Sequence, residues 1–202
     1  MKNLFKNKEL YLKGEEKFGY FLSYAYSLLT KTNNYKKFSN AIAKDVMSYK
    51  PITLLDIGTG PGIIPLTINN FSKKKLNIYG IDPSNQMITI AKRKIKNSKN
   101  IKFELGSSRK IPFKIHFDII FSSLSLHHWK EKELSINYIK KFLKKDGKIL
   151  IYEYNKDSKG IARKFVTSHS MSKLELVELA KNCKMNLKIK YIDDLIIGIL
   201  FK

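Results

Sequence analysis

Over the first fifty positions the apolar residues recur every three or four places, the period of a helix with one buried stripe. Phe18, Phe21, Leu22, Tyr24, Ala25, Leu28 and Leu29 form one such stripe. Phe38, Ile42, Ala43 and Val46 form a second, within 35–49. Lys50-Pro51 should end it, because proline pushes the residue before it out of the helical region. The pattern then alternates. Residues 52–57 are a nearly continuous apolar run, as expected of a strand buried on both faces. A glycine loop and an apolar helix over Ile63–Phe71 follow. The next strand is expected over 76–81, and its helix opens at Ser84, a good N-cap, with Met87, Ile88, Ala91 and Ile95 inward. Two more strands are predicted over Ile101–Leu105 and Phe117–Ser123. A helix bearing Leu134, Ile136, Ile139, Phe142 and Leu143 leads to the turn Lys145-Asp146-Gly147 and a strand over 148–154. Ser172-Lys173-Leu174-Glu175 reads as a capping box opening a helix that runs to about Cys183. Asn186–Ile192 and Leu195–Phe201 are separated only by Asp193-Asp194, so these two strands must be antiparallel neighbours. The pattern as a whole predicts an α/β sheet that ends in an antiparallel hairpin.

Composition bounds this picture. A chain of 202 residues suits one domain, and 43% apolar residues can build a core. The helical region 1–50 is expected to cap that same domain, with 51–202 carrying the sheet. The single cysteine, Cys183, excludes a disulfide framework and a cysteine-cluster zinc site. No metal-ligand spacing appears. No apolar stretch is long enough to span a membrane, and residues 1–17 lack the apolar core of a secretion signal. The expectation is a soluble, cytoplasmic protein. A formal charge of +22 invites a polyanion partner. Yet only Arg93, Arg109 and Arg163 among the 39 basic residues are arginine, the type that makes bidentate phosphate and base contacts. A lysine-coated surface is the reading favoured over nucleic-acid binding.

Candidate chemistry begins at Asp56-Ile57-Gly58-Thr59-Gly60-Pro61-Gly62, between the first strand and its helix. Three glycines at alternate positions allow a tight turn and let a ligand lie against the backbone. Asp82 closes the next strand, 20 residues past Gly62, where a carboxylate can accept from both ribose hydroxyls. Loop and acid together indicate an adenosine-type cofactor. Glycine spacing of this kind is shared with dinucleotide sites. His127 and His128 follow the fourth strand; imidazole is a competent base near neutral pH. The competing reading makes them hydrogen-bonded anchors of their loop, which Trp129 would pack.

Residues 54–62, then Asp82-Pro83-Ser84-Asn85-Gln86-Met87, then Gly106 through Ile111-Pro112-Phe113, then Phe117 through Leu126-His127-His128-Trp129, resemble the class I S-adenosylmethionine-dependent methyltransferases, in particular the small ubiquinone/menaquinone-biosynthesis branch. The resemblance covers roughly residues 50–202. It implies a Rossmann-like seven-stranded sheet of order 3-2-1-4-5-7-6, its last strand antiparallel, with helices on both faces. It also implies S-adenosyl-L-methionine as cofactor, with Asp56, Gly58, Thr59 and Gly60 holding the methionine part. Asp82 would take the ribose hydroxyls, with Pro83 and Met87 against adenine, and Ser122 would lie beside the sulfonium. Ser107 and Ser108 stand where the family often has an aspartate that accepts from the adenine amino group. An N-terminal helix often closes the crevice in this family, which makes 11–30 a candidate substrate lid with Tyr20 and Tyr24 facing the methyl site. The implied reaction is in-line methyl transfer to an oxygen, nitrogen or sulfur of a small metabolite, with His128 and His127 as candidate catalytic bases. Two other readings compete: an RNA or protein methyltransferase using the basic surface, motivated by Lys92-Arg93-Lys94, Lys96, Lys99 and Lys102, and a cofactor-binding partner protein that transfers nothing. No Asn/Asp-Pro-Pro-Tyr/Phe follows the fourth strand, and no cysteine sits at a strand end. Both absences disfavour the base-modifying methylases that depend on those groups.

Overall fold

Leu54 and Leu55, adjacent on the first strand, lie in different hydrophobic clusters, and this alternation sets the architecture. The computed structural model describes residues 10–11, 32–72, 76–95, 98–158 and 170–202. The predicted stripe over 18–29, with Tyr20 and Tyr24, lies outside the described residues. In chain order the elements are α1 (Asn33–Ser48), β1 (Thr53–Ile57), α2 (Ile63–Phe71), β2 (Asn77–Asp82), α3 (Asn85–Lys94), β3 (Ile101–Leu105), β4 (Phe117–Ser123), α4 (Lys132–Ile139), β5 (Leu143–Asn155), β6 (Ser170–Met171), α5 (Lys173–Asn182), β7 (Asn186–Ile192) and β8 (Leu195–Phe201).

The sheet runs β3-β2-β1-β4-β5-β8-β7, with β6 paired to the end of β5. Strands β1 to β5 are mutually parallel, and β8 is antiparallel to both neighbours. This is the expected seven-strand order with one short addition, β6, so eight strands are present among the described residues. Two residues carry no periodicity, which is why β6 has no signature in the chain. Ile42, Val46, Ile64, Ile68, Ile88 and Ala91 join Leu54, Phe103, Phe121 and Tyr152 on one face, so α1, α2 and α3 pack there. Ile136, Ile139, Leu176 and Leu179 join Leu55, Ile120 and Ile151 on the other, under α4 and α5.

Local chemistry explains the element ends. Ser84 accepts from Met87 N at 3.4 Å, capping α3 as expected. Ser172 and Glu175 cap α5 reciprocally, at 3.1 and 2.7 Å. One boundary differs from expectation. α4 stops at Ile139, a tight 3₁₀ turn covers Lys140–Phe142, and Leu143 opens β5 opposite Phe117 instead of ending the helix. The pairing of β4 with β5 then slips between Phe117 and Ile119, so the predicted turn at Lys145-Asp146-Gly147 is a bulge inside a longer strand. Gly147 is required there, since a Cβ would stand 2.9 Å from the Phe117 carbonyl oxygen. Leu134, one of the apolar residues that mark this helix in the sequence, is 39% exposed.

Candidate cofactor and acceptor site

Parallel strands deliver their carboxyl ends to one edge, and β1, β2 and β4 are adjacent. Asp56 lies in register with Gly80 and with Phe121, so Asp56, Asp82 and Ser122 reach the same edge. The chain turns there through Gly58, Gly60 and Gly62, with φ of +77°, +52° and +76°, a region that L side chains rarely enter. Gly58 N and Thr59 N donate to Ile81 O at 2.9 and 3.0 Å, tying the loop to β2. A Cβ on Gly58 would stand 2.2 Å from Ser125 Oγ. The glycine loop and the loop after β4 are therefore in close contact. Gly62, as N-cap, offers α2 no side chain, leaving first-turn amides for a ligand or water.

Asp82 is tied into this turn. Its Oδ2 accepts from Gly60 N at 2.8 Å and its Oδ1 from Ser84 N at 2.9 Å. Each oxygen retains acceptor capacity beyond these bonds. Burial raises Asp82 to about 6, against the two amide bonds that lower it. Asp56 is fully enclosed and is pushed up to about 7, first by burial, with the nearby Thr59 hydroxyl opposing and the charge of Asp82 adding. Asp56 Oδ1, Thr59 Oγ1 and Ser122 Oγ are buried and lack a hydrogen-bond partner.

The remaining expected residues divide. Met87 is buried in the first turn of α3, and Pro83 is half-buried beside it. Ser107 exchanges backbone bonds with Lys110 at 3.0 Å, and its hydroxyl accepts from Arg109 N at 3.3 Å. Ser108 is turned toward α4, with its hydroxyl 3.0 Å from that of Ser135. The two serines thus have different surroundings, although they are adjacent in the chain.

The loop after β4 carries the second cluster. His127 Nδ1 lies 2.7 Å from Glu153 Oε2, and His127 N donates to Glu153 Oε1 at 3.3 Å. His127 Nε2 and His128 Nε2 are 2.9 Å apart. Glu153 lies near the end of β5 and is 0% exposed. Trp129 packs the loop as expected, 8% exposed, and its Nε1 donates to Ser125 Oγ at 3.2 Å. Glu153 escaped the motif reading; the signal available was an acid inside the apolar run Ile149-Leu150-Ile151-Tyr152-Glu153. Arg109 escaped it too. It is 2% exposed, and its Nη2 donates to Leu10 O at 3.4 Å, which brings the chain before α1 to the β3–β4 loop. Of the lysines behind the basic-surface reading, Lys92 pairs with Glu104 at 3.1 Å, and Lys94 Nζ donates to Pro61 O at 3.0 Å. No helix among the described residues is long and apolar enough to cross a membrane.

Known proteins bear on this arrangement. Residues 49–194 match the model of a methyltransferase domain family. The ubiquinone/menaquinone biosynthesis C-methyltransferase UbiE of Wigglesworthia glossinidia brevipalpis is 31% identical over 145 residues, which is 67% of this chain and 57% of that protein. The chain spans about half the length of several curated relatives it matches. Among solved structures, a candidate S-adenosyl-L-methionine-dependent methyltransferase of Methanococcus maripaludis superposes with a TM-score of 0.78 at 20% identity, over 95% of this chain and 97% of that one. The plantazolicin methyltransferase BamL, solved with SAH, gives 0.72 at 17% identity, over 90% and 91%. With the family model spanning most of the chain, and the strand order and glycine turn in place, the chain belongs to the class I S-adenosylmethionine-dependent methyltransferases, whose cofactor is S-adenosyl-L-methionine.

Proposed function

We propose that this chain moves the methyl group of S-adenosylmethionine to an oxygen, nitrogen or sulfur of a small metabolite by direct in-line displacement. The observation that supports the reading is the trio of buried, unpartnered oxygens, Asp56 Oδ1, Thr59 Oγ1 and Ser122 Oγ. Burying a polar atom without a partner costs roughly 1–3 kcal/mol, so a polar ligand is expected to satisfy them. The cofactor fits on chemical grounds: its ammonium and ribose hydroxyls donate, and its carboxylate can accept from the Thr59 and Ser122 hydroxyls. In this reading Asp56, Gly58, Thr59 and Gly60 hold the methionine part. Asp82 takes the ribose hydroxyls on the acceptor capacity left by Gly60 and Ser84. Pro83 and Met87 line the adenine. Because the Ser108 hydroxyl is committed to Ser135, Ser107 is the serine this reading keeps at the adenine. Ser122 stands at the sulfonium, and His128 with His127 serves as base.

When bound, the sulfonium makes its methyl group electrophilic. The chain then has to orient the acceptor, exclude water and take a proton where one is lost. The UbiE relative is named for C-methyl transfer, so carbon joins the acceptor atoms to be tested. The pairing of Lys92 and Lys94 within the chain favours the metabolite reading over a polyanion substrate.

Calorimetry with S-adenosylmethionine and, separately, NADH tests the cofactor; binding of NADH alone would overturn the reading. Asp82→Ala should weaken S-adenosylmethionine binding by about 1–3 kcal/mol, and wild-type affinity in that variant would contradict the ribose assignment. Labelled-methyl transfer into cell extract, fractionated into small molecules, RNA and protein, tests the acceptor. Label in RNA or protein would replace the metabolite reading; binding without transfer would identify a partner protein.

A further inference from the structure

We infer that the sheet edge opposite the cofactor turn is a docking surface for an anionic lipid bilayer. At this edge β1 to β5 begin, and α1 and α2 return to the sheet. Five exposed lysines are delivered there by the connections between elements. Lys50 precedes β1, Lys99 precedes β3, Lys114 precedes β4, and Lys141 and Lys145 flank the opening of β5. No side-chain partner holds any of the five among the described residues. The same connections carry one exposed acid, Asp146. Asp118, at the start of β4, is already paired with Lys144 at 2.9 Å. The far edge has the opposite character, with Asp157 after β5 and Asp193 and Asp194 after β7 all exposed. The strand ends stand about 4.8 Å apart, so the lysines share one face and their fields add toward a negative surface.

The side chains select a bilayer over nucleic acid. All five cations are lysines, point charges without the planar fork that reads phosphates and bases in pairs. Ile52, 61% exposed, stands among them: its amide and Lys144 Nζ meet on the same Asp118 carboxylate. Phe71, 40% exposed, ends α2, whose last turn reaches the start of β3 through Asn69 and Asn100 at 2.7 Å. An aliphatic side chain offers no face on which a base can stack. In a headgroup layer it adds its own transfer energy to the attraction of the amines, which is the pairing of signals that peripheral attachment needs. Attachment here also sets an orientation. The cofactor turn follows the far end of β1, five residues away, or about 17 Å at the rise of a strand. The acceptor crevice then faces water, and its substrate arrives from solution.

Sedimentation with vesicles tests the surface, comparing phosphatidylcholine alone with equal parts phosphatidylcholine and phosphatidylserine at about 0.15 M salt. The full chain is expected to sediment with the mixed vesicles and to stay in solution with phosphatidylcholine. Lys141→Glu/Lys145→Glu should weaken binding at least about 30-fold. Lys36→Glu/Lys37→Glu is the charge-matched control and should keep most of it. Both lysines are in the first turn of α1, which the Phe38–Tyr154 ring contact at 6.5 Å places near the far end of β5. Ile52→Gln leaves the charge alone and should weaken binding several-fold. Thermal melts establish that each variant folds, with Lys141→Gln/Lys145→Gln as the substitute if the glutamates impair folding. A wild type that ignores the mixed vesicles would overturn the inference. Equal losses in the two double variants would do so in favour of diffuse charge, and unchanged binding in Ile52→Gln would rule out a lipid partner. RNA that strips the protein from vesicles at the same salt would assign the edge to nucleic acid instead. None of these outcomes bears on methyl transfer, whose residues lie at the other edge.

Discussion

Asp56 and Asp82 sit at one strand edge, and burial holds both well above the usual carboxylate range, at about 7 and about 6. An acid raised in this way binds its proton more tightly folded than unfolded. Its stabilising contribution is full below 3.8 and is lost as pH rises through about 6 to 7. The cofactor-free protein is therefore expected to lose stability across that window, by an amount on the order of a few kcal/mol. Asp56→Asn should flatten the slope and make the cofactor-free protein more stable at about pH 8, as urea melts at several pH values would register. On the proposed binding mode, cofactor affinity should behave oppositely, rising with pH as Asp56 ionises, and falling in Asp56→Asn. A variant that flattened the slope but kept wild-type affinity would remove Asp56 from the binding site. Gly58→Ala tests the turn itself. With φ of +77° and a Cβ at 2.2 Å from Ser125 Oγ, it should cost on the order of 1–3 kcal/mol and displace the histidine loop. Chemical shifts of His127 and His128 would report that displacement.

Between elements, side chains far apart in sequence do the fastening. Asp45 of α1, 4% exposed, accepts from the Tyr152 hydroxyl of β5 at 2.8 Å and pairs with Lys190 of β7. Helix α1 is thus pinned across the sheet face remote from the histidine loop. Tyr152→Phe is expected to cost about 1–2 kcal/mol, since it removes one bond to a buried carboxylate, with no change in cofactor affinity. Thermal melts and calorimetry on the same sample separate the two. Asp118 does similar work at the opening of β1, accepting from Ile52 N, Thr53 N and Thr53 Oγ1 at 2.8–2.9 Å while pairing with Lys144. Both sheet edges carry lysines: Lys102 on β3, and Lys188 and Lys190 on β7. Charge there discourages pairing with another chain's strand, which gives part of the lysine excess a structural purpose.

For the molecule as a whole, +22 is a self-repelling charge. Salt screens such repulsion over about 8–10 Å near physiological ionic strength. Raising salt from low to about 0.15 M should therefore raise the melting temperature. The same titration should release cellular RNA from the protein if the lysines act only as a diffuse coat. Retention of RNA at physiological salt would reopen the macromolecular reading.

The order of the elements, the glycine turn, the capping serines Ser84 and Ser172 and the terminal hairpin are all legible in the chain. Each depends on residues within a few positions of one another: a period, a positive φ that glycine permits, a hydroxyl within reach of its own first turn. What the chain alone leaves undetermined are the partnerships made across the sheet. Glu153 meets His127 across 26 residues, and Tyr152 meets Asp45 across 107. Ser107 and Ser108 part company because only one lies opposite Ser135. Leu143 has the apolar spacing of a helix face, yet it starts a strand because Phe117 lies beside it to be paired. A local pattern records which face of an element is buried; which side chain waits on the other side is fixed only when distant strands are brought into register.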